Sequence, residues 1–485
     1  MFHRKKKLPK KQEEEQEKRS NRELYFTGIF FALLFVSMIG YYIYFVQENG
    51  RKMINNSYNS RQYILASQNT RGSIYSADGE VLAETITNAE GKEERSYPYQ
   101  NLFAHVVGFS TKGKTGIEAE ANSYLIQSSI PLSSKVENEV EARKHPGDNV
   151  YTSLRTDLQE IASKSLGVSQ GAIIVSNVKT GEILAMVSKP DFDPETIAAD
   201  WETYVEDEDS SVLLNRATQG IYPPGSTFKL VTALAYLRQN MGDYSSYRYS
   251  CNGSFNYGNS RIICYHGTAH GNVDFISSFA KSCNCSFAKM GLELDRGVYQ
   301  DVVNDLGFNE SLPVNLNYKK SSLMVDDGLS KEDMIQISFG QGRVQMTPLH
   351  LHLITNAIAL EGTPMKPYLI NRVVSAEGEL VKSFKPQAYK ALMTGEEAGT
   401  LSKLMAAVVE SGTATRLKGL EYTAAGKTGS AEYNLVKEDS HAWFTGFAPA
   451  EDPEISVTII VEKIGSGGDY AVPIAKRLLD AYFGV

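Results

Sequence analysis

Tyr222-Pro223-Pro224-Gly225-Ser226-Thr227-Phe228-Lys229 is the stretch on which the reading of this 485-residue chain turns. Two prolines and a glycine cannot carry a helix forward, so they end whatever precedes them. The residues that follow, Leu230-Val231-Thr232-Ala233-Leu234-Ala235-Tyr236-Leu237, are apolar enough for a buried helix. Ser226 is therefore expected at a helix N-terminus, where free backbone N–H groups and the positive dipole end favour developing negative charge. Lys229 follows three residues later, on the same face and within reach of the serine oxygen. A serine hydroxyl is a poor nucleophile until a neighbouring base takes its proton. Taken alone, the stretch is most simply a serine cap with a lysine one turn on.

The rest of the chain sets the context. Its length suits two or three domains, and a formal net charge of −8 argues against nucleic acid as a partner. Charge is unevenly placed. Arg4-Lys5-Lys6-Lys7, Lys10 and Lys11 are followed by a mixed-charge segment with Glu13, Glu14 and Glu15, and residues 24–46 then carry no charge at all. That apolar run is long enough to span a bilayer as a helix, with Tyr25, Tyr41, Tyr42 and Tyr44 near its ends. It is too long for a signal peptide and no small-x-small site follows it, so a retained anchor is expected. The basic residues before it predict a cytoplasmic N-terminus and a single-pass protein facing the extracellular or periplasmic side. The expected organisation is a tail (1–23), a transmembrane helix (24–46), a small strand-rich pedestal (47–167) and a larger domain (168–485).

Within the pedestal, Arg71-Gly72-Ser73-Ile74, the turn at Asp78-Gly79 and Val81-Leu82-Ala83 predict a hairpin. From Gly171 the texture changes. Ala172-Ile173-Ile174-Val175 and Ile183-Leu184-Ala185-Met186-Val187 read as strands joined at Gly181, helical stretches occupy the middle, and strands at 427–433, 442–448 and 455–462 precede a closing helix at 473–482. Strands that open and close the segment around a helical middle predict one mixed α+β domain. Four cysteines remain, Cys251, Cys264, Cys283 and Cys285. Cys251 and Cys264 flank the turn-rich Asn256-Tyr257-Gly258-Asn259-Ser260 and can close a hairpin as a disulfide. With His266 and His270 nearby, a zinc site is the other option, although the spacing fits no standard pattern. No cofactor is implied.

Three polar groups recur in a telling order: Ser226-x-x-Lys229, Ser282-x-Asn284 and Lys427-Thr428-Gly429. The set resembles the penicilloyl-serine enzymes, whose signature is S-x-x-K, S-x-N and K-T-G. A second K-T-G, Lys179-Thr180-Gly181, precedes the serine and lies in a turn between strands, so Lys427 is the better candidate. Arg71-Gly72-Ser73-Ile74, Gly116-Ile117-Glu118, Thr156-Asp157-Leu158-Gln159, residues 180–186, Asn215-Arg216-Ala217 and Gly340-Gln341-Gly342 extend the resemblance to class B penicillin-binding proteins over most of the chain beyond residue 70. That resemblance implies a β-lactamase/D,D-peptidase-like domain with a mainly antiparallel five-stranded sheet flanked by helices, and a membrane-anchored peptidoglycan D,D-transpeptidase. The hairpin turn Ser76-Ala77-Asp78-Gly79 departs from the family's D-R-N-G-like spelling.

The expected roles follow. Ser226 attacks the D-Ala-D-Ala carbonyl of a stem peptide, or a β-lactam, and forms an ester. Lys229 acts as base, its pKa lowered by desolvation and by Lys427. Ser282, between the two lysines, relays the proton, and Asn284 holds the substrate amide and fixes Lys229. Thr428 and Ser430, with Lys427, grip the terminal carboxylate, and Gly429 lets an extended peptide approach the strand. The resemblance implies an oxyanion hole from the N–H groups of Ser226 and Ser430, and a partner in the membrane, a polytopic SEDS-type glycan polymerase. Rival readings are a class D-like β-lactamase or β-lactam sensor, a D,D-carboxypeptidase, and a non-enzymatic wall-synthesis scaffold. Class D enzymes share Ser-Thr-Phe-Lys and a Tyr-Gly-Asn, but there the Tyr-Gly-Asn follows the second motif, whereas Tyr257-Gly258-Asn259 precedes Ser282.

Overall fold

The computed structural model describes residues 9–54, 60–207, 211–258, 260–432 and 440–485. The basic run Arg4-Lys5-Lys6-Lys7, Asn259 and the end of the expected strand at Tyr433 lie outside the described residues. Two compact units are present, Met1–Tyr63 and Ile64–Val485. The first is dominated by one helix, α1 (Lys10–Ile54). Its stretch Asn21–Val46 has a mean hydropathy of 2.2, and its large apolar side chains, Phe30, Phe35 and Ile39 among them, are exposed. Such a helix fits a single-pass membrane anchor, because lipid can cover apolar surface that water would penalise.

The second unit is built mainly on a six-stranded and a five-stranded sheet, with three two-stranded pairings beside them among the described residues. The six-stranded sheet runs in the order Leu380–Ser383, Ile370–Val374, Asn149–Thr152, Ile74–Tyr75, Val81–Thr87 and Glu93–Ser96. The hairpin expected around Asp78-Gly79 is present, with Ile74 opposite Ala83. Two strands of this sheet come from far downstream, so it is assembled from both sides of residue 168. At its side lies a buried charge cluster. Glu118, fully buried, accepts from Arg71 and from Arg95 Nε (2.7 Å). Burial alone would raise the Glu118 pKa, but the two guanidinium groups hold it below the ordinary carboxylate range.

The five-stranded sheet, with the longer strands, holds β1 (Gly171–Asn177), β2 (Ile183–Lys189), β3 (Ala425–Glu432), β4 (Ser440–Ala448) and β5 (Ile455–Val461) in the order β3-β4-β5-β1-β2, every pair antiparallel. β4 and β5 are buried along their whole length, which is why they read as apolar runs rather than alternating ones. The helices that matter for the site are α2 (Lys229–Gln239), α3 (Phe275–Ala280), α4 (Asn284–Glu293), α5 (Pro348–Ala359), α6 (Gly395–Ser411) and α7 (Ala471–Phe483). α5 lies on the sheet through a buried polar network. His352 meets Ser176 Oγ (2.7 Å) and Thr458 Oγ1 (3.0 Å), while Thr355 Oγ1 meets Thr445 Oγ1 (2.6 Å). Burial pushes the His352 pKa down to about 3, so the ring stays neutral and can accept and donate at once. The network ties one helix to β1, β4 and β5 in a single register, because every hydroxyl must find its partner.

Glu118→Gln keeps the volume and removes the charge, leaving Arg71 and Arg95 buried without a counter-ion. The expected loss of stability is about 3 kcal/mol, read as a lower midpoint in urea unfolding followed by tryptophan fluorescence.

Candidate active site

Gly225–Phe228 forms a 3-10 turn that runs directly into α2 at Lys229. The expected serine cap is not what closes this turn. Thr227 Oγ1 donates to the Pro224 carbonyl at 2.8 Å, while no hydrogen bond reaches Ser226 Oγ among the described residues. Ser226 thus stays half-buried with a free hydroxyl one turn ahead of Lys229. The turn is braced from behind. Gly225, at φ +55°, donates its N–H to the Gly340 carbonyl at 2.9 Å. Gly340, at φ +78°, lies so close that a Cβ there would collide with the Gly225 carbonyl oxygen. Only glycine meets both demands.

Two lysines, both fully buried, converge on one hydroxyl. Lys229 Nζ donates to the Ser282 carbonyl (2.7 Å), Ser282 Oγ (3.1 Å) and Asn284 Oδ1 (2.7 Å). Lys427 Nζ donates to the same Ser282 Oγ (3.0 Å) and to the Thr428 carbonyl (3.0 Å). Phe287 and Phe279 cover the two ammonium groups at 5.3 and 5.5 Å from their ring centroids. Burial pushes Lys229 down to about 8, with the nearby thiols of Cys283, Cys264 and Cys285 acting in the opposite sense. Burial, then the charge of Lys229, holds Lys427 well below the ordinary lysine value.

Ser282 occupies the link between α3 and α4 at φ +53°, a conformation that costs a β-carbon-bearing residue about 1 kcal/mol or more and is kept only where surroundings impose it. Cys283, the residue after it, is the N-cap of α4, its sulfur accepting from the Ser286 N–H at 3.4 Å. Asn284 is therefore not the cap. It is the first helical residue, its amide nitrogen donating to the Ile263 carbonyl (3.1 Å), which turns its oxygen to Lys229.

β3 forms the open side. It is an edge strand of the five-stranded sheet, and Gly429 is where it touches the Ser226 turn, a Cβ there meeting the Pro224 carbonyl at 3.0 Å and Thr227 Cγ2 at 3.0 Å. Thr428 Oγ1 shares a short hydrogen bond with Thr413 Oγ1, and Ser430 Oγ accepts from the Gly467 N–H at 3.3 Å. Thr413 and Gly467 were not singled out from sequence. The only hint of Thr413 is the helix stop Ser411-Gly412 just before it, and Gly467 sits in a loop without a motif. Lys179 of the other K-T-G is half-exposed and pairs with Asp452 at 2.8 Å.

The cysteines gather in the same region. All four are buried free thiols, so Cys251 and Cys264 do not close a hairpin disulfide. Cys251, Cys264, His270 and Cys283 instead place their sulfur and nitrogen atoms within 4.8 Å of one another, a donor set able to hold a soft divalent cation. His266 is exposed and outside the group.

Residues 171–480 match the family model described as penicillin binding protein transpeptidase domain, and residues 71–150 match that of the penicillin binding protein A dimerisation domain. The chain is 30% identical over 446 residues to peptidoglycan D,D-transpeptidase PbpA of Mycolicibacterium smegmatis, covering 85% of this chain and 88% of that protein. Among solved structures, PBPA of Mycobacterium tuberculosis superposes with a TM-score of 0.78 at 26% identity, over 86% of this chain and 100% of that one. The penicillin G acyl-enzyme complex of the same mycobacterial protein gives a TM-score of 0.76 at 26% identity, with the same coverage.

Gly340→Ala drives a methyl into the Gly225 turn and so moves Ser226 relative to Lys229. The expected result is a folded protein whose covalent labelling by fluorescent penicillin slows about 100-fold, the scale of a 1 Å misplacement of a reacting group.

Proposed function

The chain belongs to the penicillin-binding protein transpeptidase family, and from that premise we propose how its own residues carry out D,D-transpeptidation. It is a serine-type peptidoglycan D,D-transpeptidase that works through an acyl-serine and is acylated by β-lactams. Ser226 Oγ attacks the carbonyl of the penultimate D-alanine in a stem peptide, and the terminal D-alanine leaves as its amine. An amine from a second stem peptide then attacks the ester and closes the cross-link.

The observation that carries the assignment of roles is the shared hydroxyl. Ser282 Oγ accepts from Lys229 and from Lys427, so its single proton is left for a third partner, and no acceptor for it is present among the described residues. Lys229, held down to about 8 by burial, spends a useful fraction of time neutral near neutral pH and takes the Ser226 proton. Ser282 passes a proton to the departing amine. Lys427 supplies positive charge toward the substrate carboxylate, which Thr428 and Ser430 hold from the strand. The N–H groups of Ser226 and Ser430 form the oxyanion hole. Supporting this, a Cβ at Gly225 would stand 2.8 Å from the Ser430 carbonyl oxygen, so the turn and the strand touch where the hole must be. Asn284, already fixed on Lys229, offers its amide to the peptide.

We also assign α1 as an anchor with the N-terminus cytoplasmic and the larger unit outside, and a polytopic SEDS-type glycan polymerase as the membrane partner; the basic residues before the span and the family's organisation support this. A class D-like lactamase is disfavoured by Asn284, because that position carries the amide that grips Lys229.

Fluorescent penicillin is expected to label the full chain covalently, and Ser226→Ala to abolish labelling without lowering the melting temperature. Persistent labelling of that variant rejects Ser226 as nucleophile. Rapid release of hydrolysed drug identifies a lactamase, and absence of any label on wild type a scaffold. Because the neutral amine of Lys229 is the active form, the acylation rate is expected to rise with pH through about 8 and to level off above it. A rate that falls over that interval excludes Lys229 as base.

A further inference from the structure

We propose that Glu462 is a positioning residue for acylation: its carboxylate clasps Arg216 and Tyr222 together and so sets where Ser226 stands against β3. The clasp is a single oxygen. Glu462 Oε1 accepts from Arg216 Nε at 2.7 Å and from the Tyr222 hydroxyl at 2.7 Å. The two donors bracket residues 217–221, so the segment entering the Ser226 turn is closed into a loop by a residue from far downstream. Glu462 directly follows β5, and its backbone N–H donates to the Gln170 carbonyl (2.8 Å), just before β1. The clasp therefore fastens the approach to the nucleophile onto the middle of the five-stranded sheet, whose edge strand carries Lys427 and Ser430.

The surroundings fit the phenol closely. A Cβ at Gly220 would lie 2.4 Å from Tyr222 Cε2 and 2.6 Å from its hydroxyl oxygen, so the slot exists only because residue 220 has no side chain. The buried Tyr222 ring meets His441 and Trp443 of β4 edge-on, at centroid distances of 5.5 and 6.0 Å. Arg216, also buried, supplies the opposite charge that a carboxylate so little exposed needs. Burial, then the charge of Glu462, raises the Tyr222 pKa, so the phenol keeps its proton and remains the donor. A hydroxyl given to a carboxylate is among the stronger hydrogen bonds.

The consequence for the reaction comes from the stiffness of the chain between Tyr222 and Ser226. Pro223 and Pro224 have a fixed φ, and a residue that precedes a proline is confined to extended backbone. Gly225, at φ +55°, then turns the chain into Ser226. At the start of this arm the Tyr222 main chain is bridged to Met346, its N–H donating at 3.0 Å and its carbonyl accepting at 2.9 Å. That bridge fixes one point, and the phenol held at the far end of the side chain stops the arm from rolling about it. Without the clasp, a small roll at Tyr222 is carried by the prolines to the serine oxygen. Glu462 and Tyr222 touch no substrate in this scheme.

The link to acylation rests on the transpeptidase reading, whereas the clasp itself is read without any drug, so the two can fail separately. In full-length protein purified in detergent, the falls in urea midpoint of Tyr222→Phe and Glu462→Gln are expected to be non-additive in the double variant, and additive falls overturn the clasp. Tyr222→Phe keeps the ring, removes only the donor, and is expected to melt within about 5 °C of wild type. With fluorescent penicillin over a range of concentrations, its limiting acylation rate is expected to fall about tenfold while the half-saturating concentration stays unchanged. The pH midpoint of that rate is expected to stay at about 8, because Lys229 is untouched. Glu462→Gln, read in the same way, carries the test if Tyr222→Phe does not fold. A wild-type limiting rate overturns the positioning role. So does a loss confined to the half-saturating concentration, which marks a binding contact, or a displaced pH midpoint, which puts the effect on Lys229.

Discussion

Two ammonium groups buried around one hydroxyl are costly to keep charged together. Lys229 and Lys427 are each fully buried and each donate to Ser282 Oγ, so ionising both places like charges together in a region of low dielectric. The cheapest resolution is for the pair to hold one proton fewer than two free lysines would. Burial shifts both downward, and the partner's charge adds to the shift at Lys427. The charge of Lys229 makes Lys427 the first to give up its proton, and an anion beside Lys427 would reverse that order, so one neutral amine and one ammonium can come from two residues of one type. The contacts support the proposed division of labour: Lys229 has acceptors in the Ser282 carbonyl and Asn284, while Lys427 lies on an edge strand of the sheet.

That arrangement requires three chain segments far apart in sequence to meet within hydrogen-bond distance, and the fold is organised to hold them. The turn at Ser226 is pressed between Gly340 behind it and Gly429 in front, both sites where a side chain would push the segments apart. Gly412 plays a similar part at the end of α6, where a Cβ would collide with the Ala280 carbonyl oxygen, two residues from Ser282. Small residues at these points do not add attraction. They remove the atoms that would stop backbones approaching, and the lysine network then forms at the distance left.

Much of this could be read from sequence because the three motifs are local. Ser226 and Lys229 are one turn apart, Ser282 and Asn284 flank one residue, and Lys427 to Ser430 lie along one strand, so each motif can be recognised within its own segment. The two K-T-G stretches were separable because one falls in a hairpin turn, where its half-exposed lysine pairs with Asp452. What was hidden shares the opposite property. Thr413 reaches Thr428 from the end of a helix, Gly467 reaches Ser430 from a loop, and the cysteine–histidine group is assembled from four segments whose pairing no linear spacing encodes. The expected serine cap is also absent: no side chain caps the Ser226 turn, and Thr227 Oγ1 donates to the Pro224 carbonyl instead.

The state of these two helix ends bears directly on the chemistry. A serine that caps its own helix has its oxygen committed to a backbone N–H and its reactivity lowered accordingly. The Ser226 turn has no side-chain cap, so Ser226 Oγ is left unbonded; at α4 the sulfur of Cys283 takes the cap position, and the Asn284 oxygen accepts from Lys229. In neither place is the side chain of Ser226 or Asn284 spent on a helix-end N–H. The helix N-termini therefore contribute their geometry and dipole to the site without consuming the groups that act there.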